Sequence, residues 1–182
     1  MTISTFLTST DIPERTDFMI TDIKKGRYGI EGKIYSEIFG TEIEVMIDEE
    51  CSIEYAQKCA EHFNNLSGEM VETICRGAKS YCLDFMELAY GDWDEELTIP
   101  VNSETPPLEM LKCFKPTVLI IEEPEDENKI GYHLECECDW EIEHGMEIDI
   151  LDNKVLYLSS CNGYSPWDEY EDDDESNYIN KI

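Results

Sequence analysis

Basic residues are scarce in this chain. Thirteen Lys and Arg stand against 43 Asp and Glu, for a formal net charge of −30. That deficit argues against a nucleic-acid or anionic-membrane partner, because phosphates would be repelled. Long apolar runs are also missing, so no membrane span is expected. The opening residues, Met1-Thr2-Ile3-Ser4-Thr5, hold no basic stretch leading into an apolar one, so no signal peptide is expected. No Gly-rich phosphate loop and no nucleophile elbow occurs. Paired zinc knuckles are lacking too. The tightest cysteine spacing is Cys136-Glu137-Cys138, one residue short of the usual knuckle.

Cysteine itself is plentiful, at eight residues. Without a secretory signal, reduced thiols in the cytoplasm are the expectation, and no cofactor is implied. The acid is unevenly spread. Residues 1–90 hold 17 acids and 8 bases; residues 91–182 hold 26 acids and 5 bases. Asp168 to Glu175 contains seven acids in eight residues. Such a block repels itself, so residues 164–182 are expected to form a disordered acidic tail. Residues 1–16, rich in Ser and Thr, are expected to be a loose arm. One domain, 17–163, lies between.

Hydrophobic period assigns the elements of that domain. Asp17–Ile23 is a candidate edge strand. Tyr28–Ser36 and Thr41–Asp48 predict a hairpin, with Ile43, Val45 and Ile47 on its buried side. Ser52 then caps a helix carrying Tyr55, Cys59 and Phe63. Glu69–Ala89 predicts the longest helix, striped by Val71, Ile74, Cys75, Ala78, Cys82 and Phe85. Gly77 within it suggests a close approach of another element. Thr105-Pro106-Pro107 opens a short helix with Leu108 and Leu111 inward, stopped by Pro116. Thr117–Ile121 is a strand. A three-strand meander follows: Tyr132–Trp140, the run from Met146, and Val155–Leu158 beyond an Asp152-Asn153 turn. The fold class is α+β, an antiparallel sheet of roughly five to seven strands packed on a helical layer.

The chain is organised around Cys138-Asp139-Trp140-Glu141-Ile142-Glu143-His144-Gly145. Leading into it, Tyr132, Leu134, Cys136, Cys138 and Trp140 share one face; His133, Glu135, Glu137 and Asp139 share the other. The second face should be wet and acidic. Trp140, His144 and Gly145 are expected to build the turn, with the tryptophan in the core and the histidine bonded to backbone.

Trp140-Glu141-Ile142-Glu143-His144-Gly145, followed by an alternating strand, resembles the Trp-acid-x-Glu-His-Gly signature of a bacterial family of domains of unknown function. The likeness extends over roughly residues 17–160. The family favours Asp where Glu141 stands and Pro where Ile142 stands. Its gene neighbourhoods are like those of immunity proteins in polymorphic toxin systems, so the resemblance implies toxin neutralisation. It offers no catalytic residues.

Charge alone implies only a basic protein partner. Candidate contact residues are Glu135, Glu137 and Asp139 on the strand face, and Trp93, Trp167 and Asp168 where aromatics sit among acids. The resulting reading is an acidic protein-binding module, immunity-like, neutralising a basic toxin domain. The competing reading is a metal-assisted hydrolase using carboxylates with His133 or His144. For the cysteines and for His144, a structural role is the simpler reading: Cys136 and Cys138 share the apolar face with Trp140.

Overall fold

In the computed structural model, residues 19–88 and 97–182 are described. Alternation became strand where the sequence showed it. The strands are β1 (Thr21–Lys25), β2 (Ile30–Ser36), β3 (Thr41–Ile47), β4 (Phe114–Ile121), β5 (Gly131–Cys138), β6 (Met146–Leu151) and β7 (Lys154–Ser159). They form one seven-stranded sheet in chain order. Every neighbouring pair is antiparallel except β3 and β4. Parallel neighbours cannot be joined by a hairpin. The crossover contains α1 (Ile53–Asn64), α2 (Gly68–Leu88) and a 3-10 helix, Pro107–Lys112.

The helices start where capping chemistry directs. Ser52 accepts the Tyr55 N–H at 3.1 Å, and Ser67 accepts that of Met70 at 3.2 Å. Each satisfies a donor that the first helical turn leaves free. Tyr55, Ala56, Cys59, Ala60 and Phe63 of α1 and Ile74, Cys75, Ala78 and Cys82 of α2 are buried. They form one core with Ile43, Val45, Ile47, Leu119, Leu134, Ile148 and Ile150 of the sheet. The approach to Gly77 comes from Leu158 and Ile179: a Cβ there would meet a methyl of each at 3.1 Å.

Three local expectations change. The short helix after Pro106 is a 3-10 helix, Pro107–Lys112, and its inward face differs from the one expected. Met110 faces the core, fully buried, and Leu111 packs half-buried against it as expected, while Leu108 is 54% exposed. Pro116 does not stop an element but lies inside β4, where the register with β5 shifts between Pro116 and Val118. A bulge tolerates the missing N–H. The edge strand begins at Thr21, with Asp22 at φ +54° where its pairing with β2 slips; Asp17, Phe18 and the expected arm, 1–16, lie outside the described residues.

The C-terminal segment differs most. Residues 164–182 were expected to be untethered, yet Asn177 is 1% exposed and Tyr178 is buried. Asn177 Oδ1 accepts the Leu158 N–H at 3.2 Å, and its Nδ2 donates to Leu156 O at 2.8 Å. One side chain thus imitates a strand along the outer edge of β7. Tyr178 stacks on Tyr81 of α2 with ring centroids 4.8 Å apart. The acids face water: Glu171, Asp172, Asp173 and Glu175 are exposed. The apolar residues around them anchor the segment.

All eight cysteines are free, and seven of them are buried. A thiol titration under denaturing conditions without reductant is expected to find eight groups. Two or four fewer would mean that disulfides form in the native protein.

Candidate functional site

The site begins with β5 and the turn that leaves it. Trp140 is 1% exposed and meets Tyr81 edge-to-face, with centroids 5.7 Å apart. With the ring held there, the chain reverses over Glu141–Gly145. Glu141 fastens the reversal. Its Oε1 accepts the N–H groups of Glu143 at 3.2 Å and His144 at 3.3 Å, and its carbonyl accepts that of Gly145 at 2.9 Å. Gly145 sits at φ +72°, and a Cβ there would lie 2.5 Å from the Cys136 carbonyl oxygen. Both facts require glycine.

His144 is therefore not the group that pins the turn; Glu141 is. The imidazole is 64% exposed, with Nδ1 3.4 Å from Glu141 Oε1. A carboxylate at the N-terminal end of a tight turn can collect the free N–H groups; an imidazole three residues on cannot.

Between this turn and the start of β4 lies a cleft of about 1020 Å³. Lys112, Lys115 and Thr117 line one wall, Glu141, Glu143 and His144 the other, with Glu135, Glu137 and Asp139 of the β5 region between them. Five carboxylates thus face two lysines. Lys115 is paired with Glu137 at 2.9 Å, and Lys112 with Glu109. Asp139 is committed to structure, since its Oδ2 accepts the Thr98 N–H at 2.8 Å. Glu137 and Glu143 remain exposed, and Glu135 is partly so. Ile142, at 66% exposure, gives the rim an apolar point.

Cys136, Cys138 and Cys161 also line the cleft. Burial pushes the Cys138 and Cys161 thiols up to about 12, and Cys136 well above its ordinary value. Thiols held protonated are poor nucleophiles and poor ligands. Among the described residues, no group of three or more His, Cys, Asp or Glu is arranged to hold a metal ion.

The remaining candidates lie elsewhere. Trp93 falls outside the described residues. Trp167 is half-buried, its ring so close to Gly131 that a Cβ there would stand 2.6 Å from Cζ2. It packs inward and is not an open anchor. Asp168 is exposed, its Oδ2 accepting the Ser165 N–H at 2.9 Å, and it is not part of the cleft.

Part of the supposedly wet face is buried. His133 is 6% exposed, Glu147 1% and Asp149 0%. Strand alternation places these side chains away from the helices, and the C-terminal segment covers them. The available sign was the aromatic spacing of Tyr157, Tyr164, Trp167 and Tyr170 beside the acids.

No curated protein and no solved structure matches this chain. Residues 19–165, which include the whole sheet and the Glu141 turn, match a family described as a domain of unknown function, DUF6985. The chain belongs to the DUF6985 family.

Proposed function

We propose that this protein is an acidic binding module that takes a basic segment of a partner protein into the cleft between the Glu141 turn and β4. Its sharpest form is immunity-like: occupation of the positive surface of a toxin domain in the bacterial cytoplasm. The signature Trp140–Gly145 and the family resemblance suggest that role; charge suggests only that the partner is basic.

The carrying observation is the surplus of carboxylate in a concave, rigidly built site. The two lysines of the cleft are already paired, so Glu135 and Glu143 offer acceptors to an incoming Lys or Arg. Strand and turn hold these groups in place before contact, which spares the ordering cost of a flexible acidic segment. Ile142 adds an apolar contact at the rim. The charge of the whole chain would steer a basic partner and raise its association rate.

A pull-down with two baits tests this reading. Wild-type protein should retain a basic protein that about 0.5 M salt releases, since charge attraction is screened there. Glu135→Lys with Glu137→Lys should fail to retain it. Equal capture by both baits would place the interface elsewhere.

A further inference from the structure

The chain from Cys161 to Tyr170 lies as a strap across the acidic face of β5 and β6. Glu147 ties down its first part. Glu147 Oε2 accepts the N–H groups of Asn162 at 3.1 Å and Gly163 at 2.8 Å, and Oε1 accepts that of Tyr164 at 3.2 Å. Tyr164 O receives His133 Nδ1 at 2.9 Å. Ser165 Oγ donates to the Glu122 carboxylate. The Tyr164 and Tyr170 rings pack on Tyr157 of β7, with centroids 4.8 and 5.8 Å away.

Beneath this strap sits a group with no such partners. Asp149 is 0% exposed, and neither of its oxygens accepts a hydrogen bond. Its cross-strand neighbour His133 brings Nδ1 to 3.6 Å, but that nitrogen is already engaged by Tyr164 O. The nearby Tyr170 hydroxyl is the donor that would hold Asp149 down, but it gives its one proton to the Ser165 carbonyl at 2.7 Å. The other titratable groups facing Asp149 are mainly acids. They are Glu147 on its own strand, Glu135 two pairs along on β5, Tyr157 directly opposite on β7, Glu122 beyond β4, and Asp168 and Cys161 of the strap. Glu147 stands two residues away on the same side of β6, and its acceptors are filled. An anion at Asp149 would therefore be buried, without a donor and beside another carboxylate.

We propose that segment 161–170 is a proton-locked strap, closed over the sheet while Asp149 carries a proton and released when that proton is lost. Burial first, and Glu147 second, push Asp149 up to about 8. An uncovered Asp149 would return toward its ordinary value of 3.8. The closed form binds the proton more tightly than the open form. Closure is therefore at its strongest below pH 3.8, weakens as pH rises, and levels off above about 8. Release would uncover Glu147 and Asp149 next to Glu135 of the cleft. The lock itself does not depend on the binding role proposed above.

Hydrogen exchange of the Asn162, Gly163 and Tyr164 amides in the full chain tests the lock, corrected for intrinsic exchange rates. Opening should rise by up to ~10-fold per pH unit between pH 6 and 8, with the α1 amides as an unchanging internal reference. Asp149→Asn keeps the shape and removes the titration, so its strap should open to the same extent at every pH. Asp168→Asn removes a facing charge and should move the levelling point to lower pH. A flat wild-type profile would overturn the proposal, as would the same slope in Asp149→Asn. If Asp149→Asn does not fold, an unmoved levelling point in Asp168→Asn overturns it on its own.

Discussion

Trp140→Ala is expected to destabilise the protein by about 3–4 kcal/mol in urea unfolding. Truncation of a buried large aromatic costs roughly 3–5 kcal/mol, from lost transfer energy and the cavity left behind. Trp140 qualifies by its 1% exposure and its edge-to-face contact with Tyr81. The lower half of the range applies because the indole Nε1 is buried without a partner. Removing an unsatisfied donor returns part of the loss, about 1 kcal/mol or more. Trp140→Phe separates the two contributions. It keeps most of the apolar volume and drops the orphan N–H, so it should cost clearly less than alanine. An unchanged urea midpoint for Trp140→Ala would show that the ring does not anchor the turn.

Truncation after Ser176 is expected to cost about 3–5 kcal/mol, an effect of the same order. It removes Tyr178 from its stack on Tyr81, and Ile179 from the groove at Gly77. It also strips the Asn177 amide from the β7 edge, exposing Leu158 N and Leu156 O to water. Water can satisfy both, so the apolar losses dominate. Neutralising Glu171, Asp172, Asp173 and Glu175 with Gln and Asn should instead stay within about 0.5 kcal/mol, because all four are exposed. Equal stability of the truncated and full chains would return this segment to a loose tail.

This contrast shows where sequence reasoning met its limit. Charge density in Asp168–Glu175 is a strong sign of disorder, and it outweighed Trp167, Asn177 and Tyr178 on either side. Disorder follows when a segment cannot bury enough to offset its ordering entropy. Here a few flanking residues bury enough, while the acids stay in water. The same segment explains His133, Glu147 and Asp149. Period two told which face they share, but not what would cover it.

The β2–β3 hairpin, the β5–β7 meander and the start of α1 were legible, because alternation and the Ser52 cap are local signals; α2 was placed by its apolar stripe, and the Ser67 cap emerged only in the structure. The inward turn of Met110 was not. In a six-residue element, too few residues set a period to tell which face turns inward. In the Glu141 turn, tryptophan and glycine were placed by pattern. Glutamate's grip on the backbone depends on where its oxygens reach, which composition does not reveal. The charged cleft combines β4, β5 and the turn, and so required the fold.

In the binding reading proposed above, a basic partner enters the cleft beside Glu135 and Glu137. Surface-plasmon kinetics with the salt-released partner, at two salt concentrations, tests it most directly. Glu135→Lys with Glu137→Lys should speed dissociation at least ~100-fold, equivalent to about 2.7 kcal/mol, and should flatten the salt dependence of association. Neutralising the four exposed acids of the C-terminal segment should slow association by a few-fold and leave dissociation nearly unchanged. Binding abolished by that neutralisation, and untouched by the strand substitutions, would contradict the claim and move the interface to the C-terminal segment.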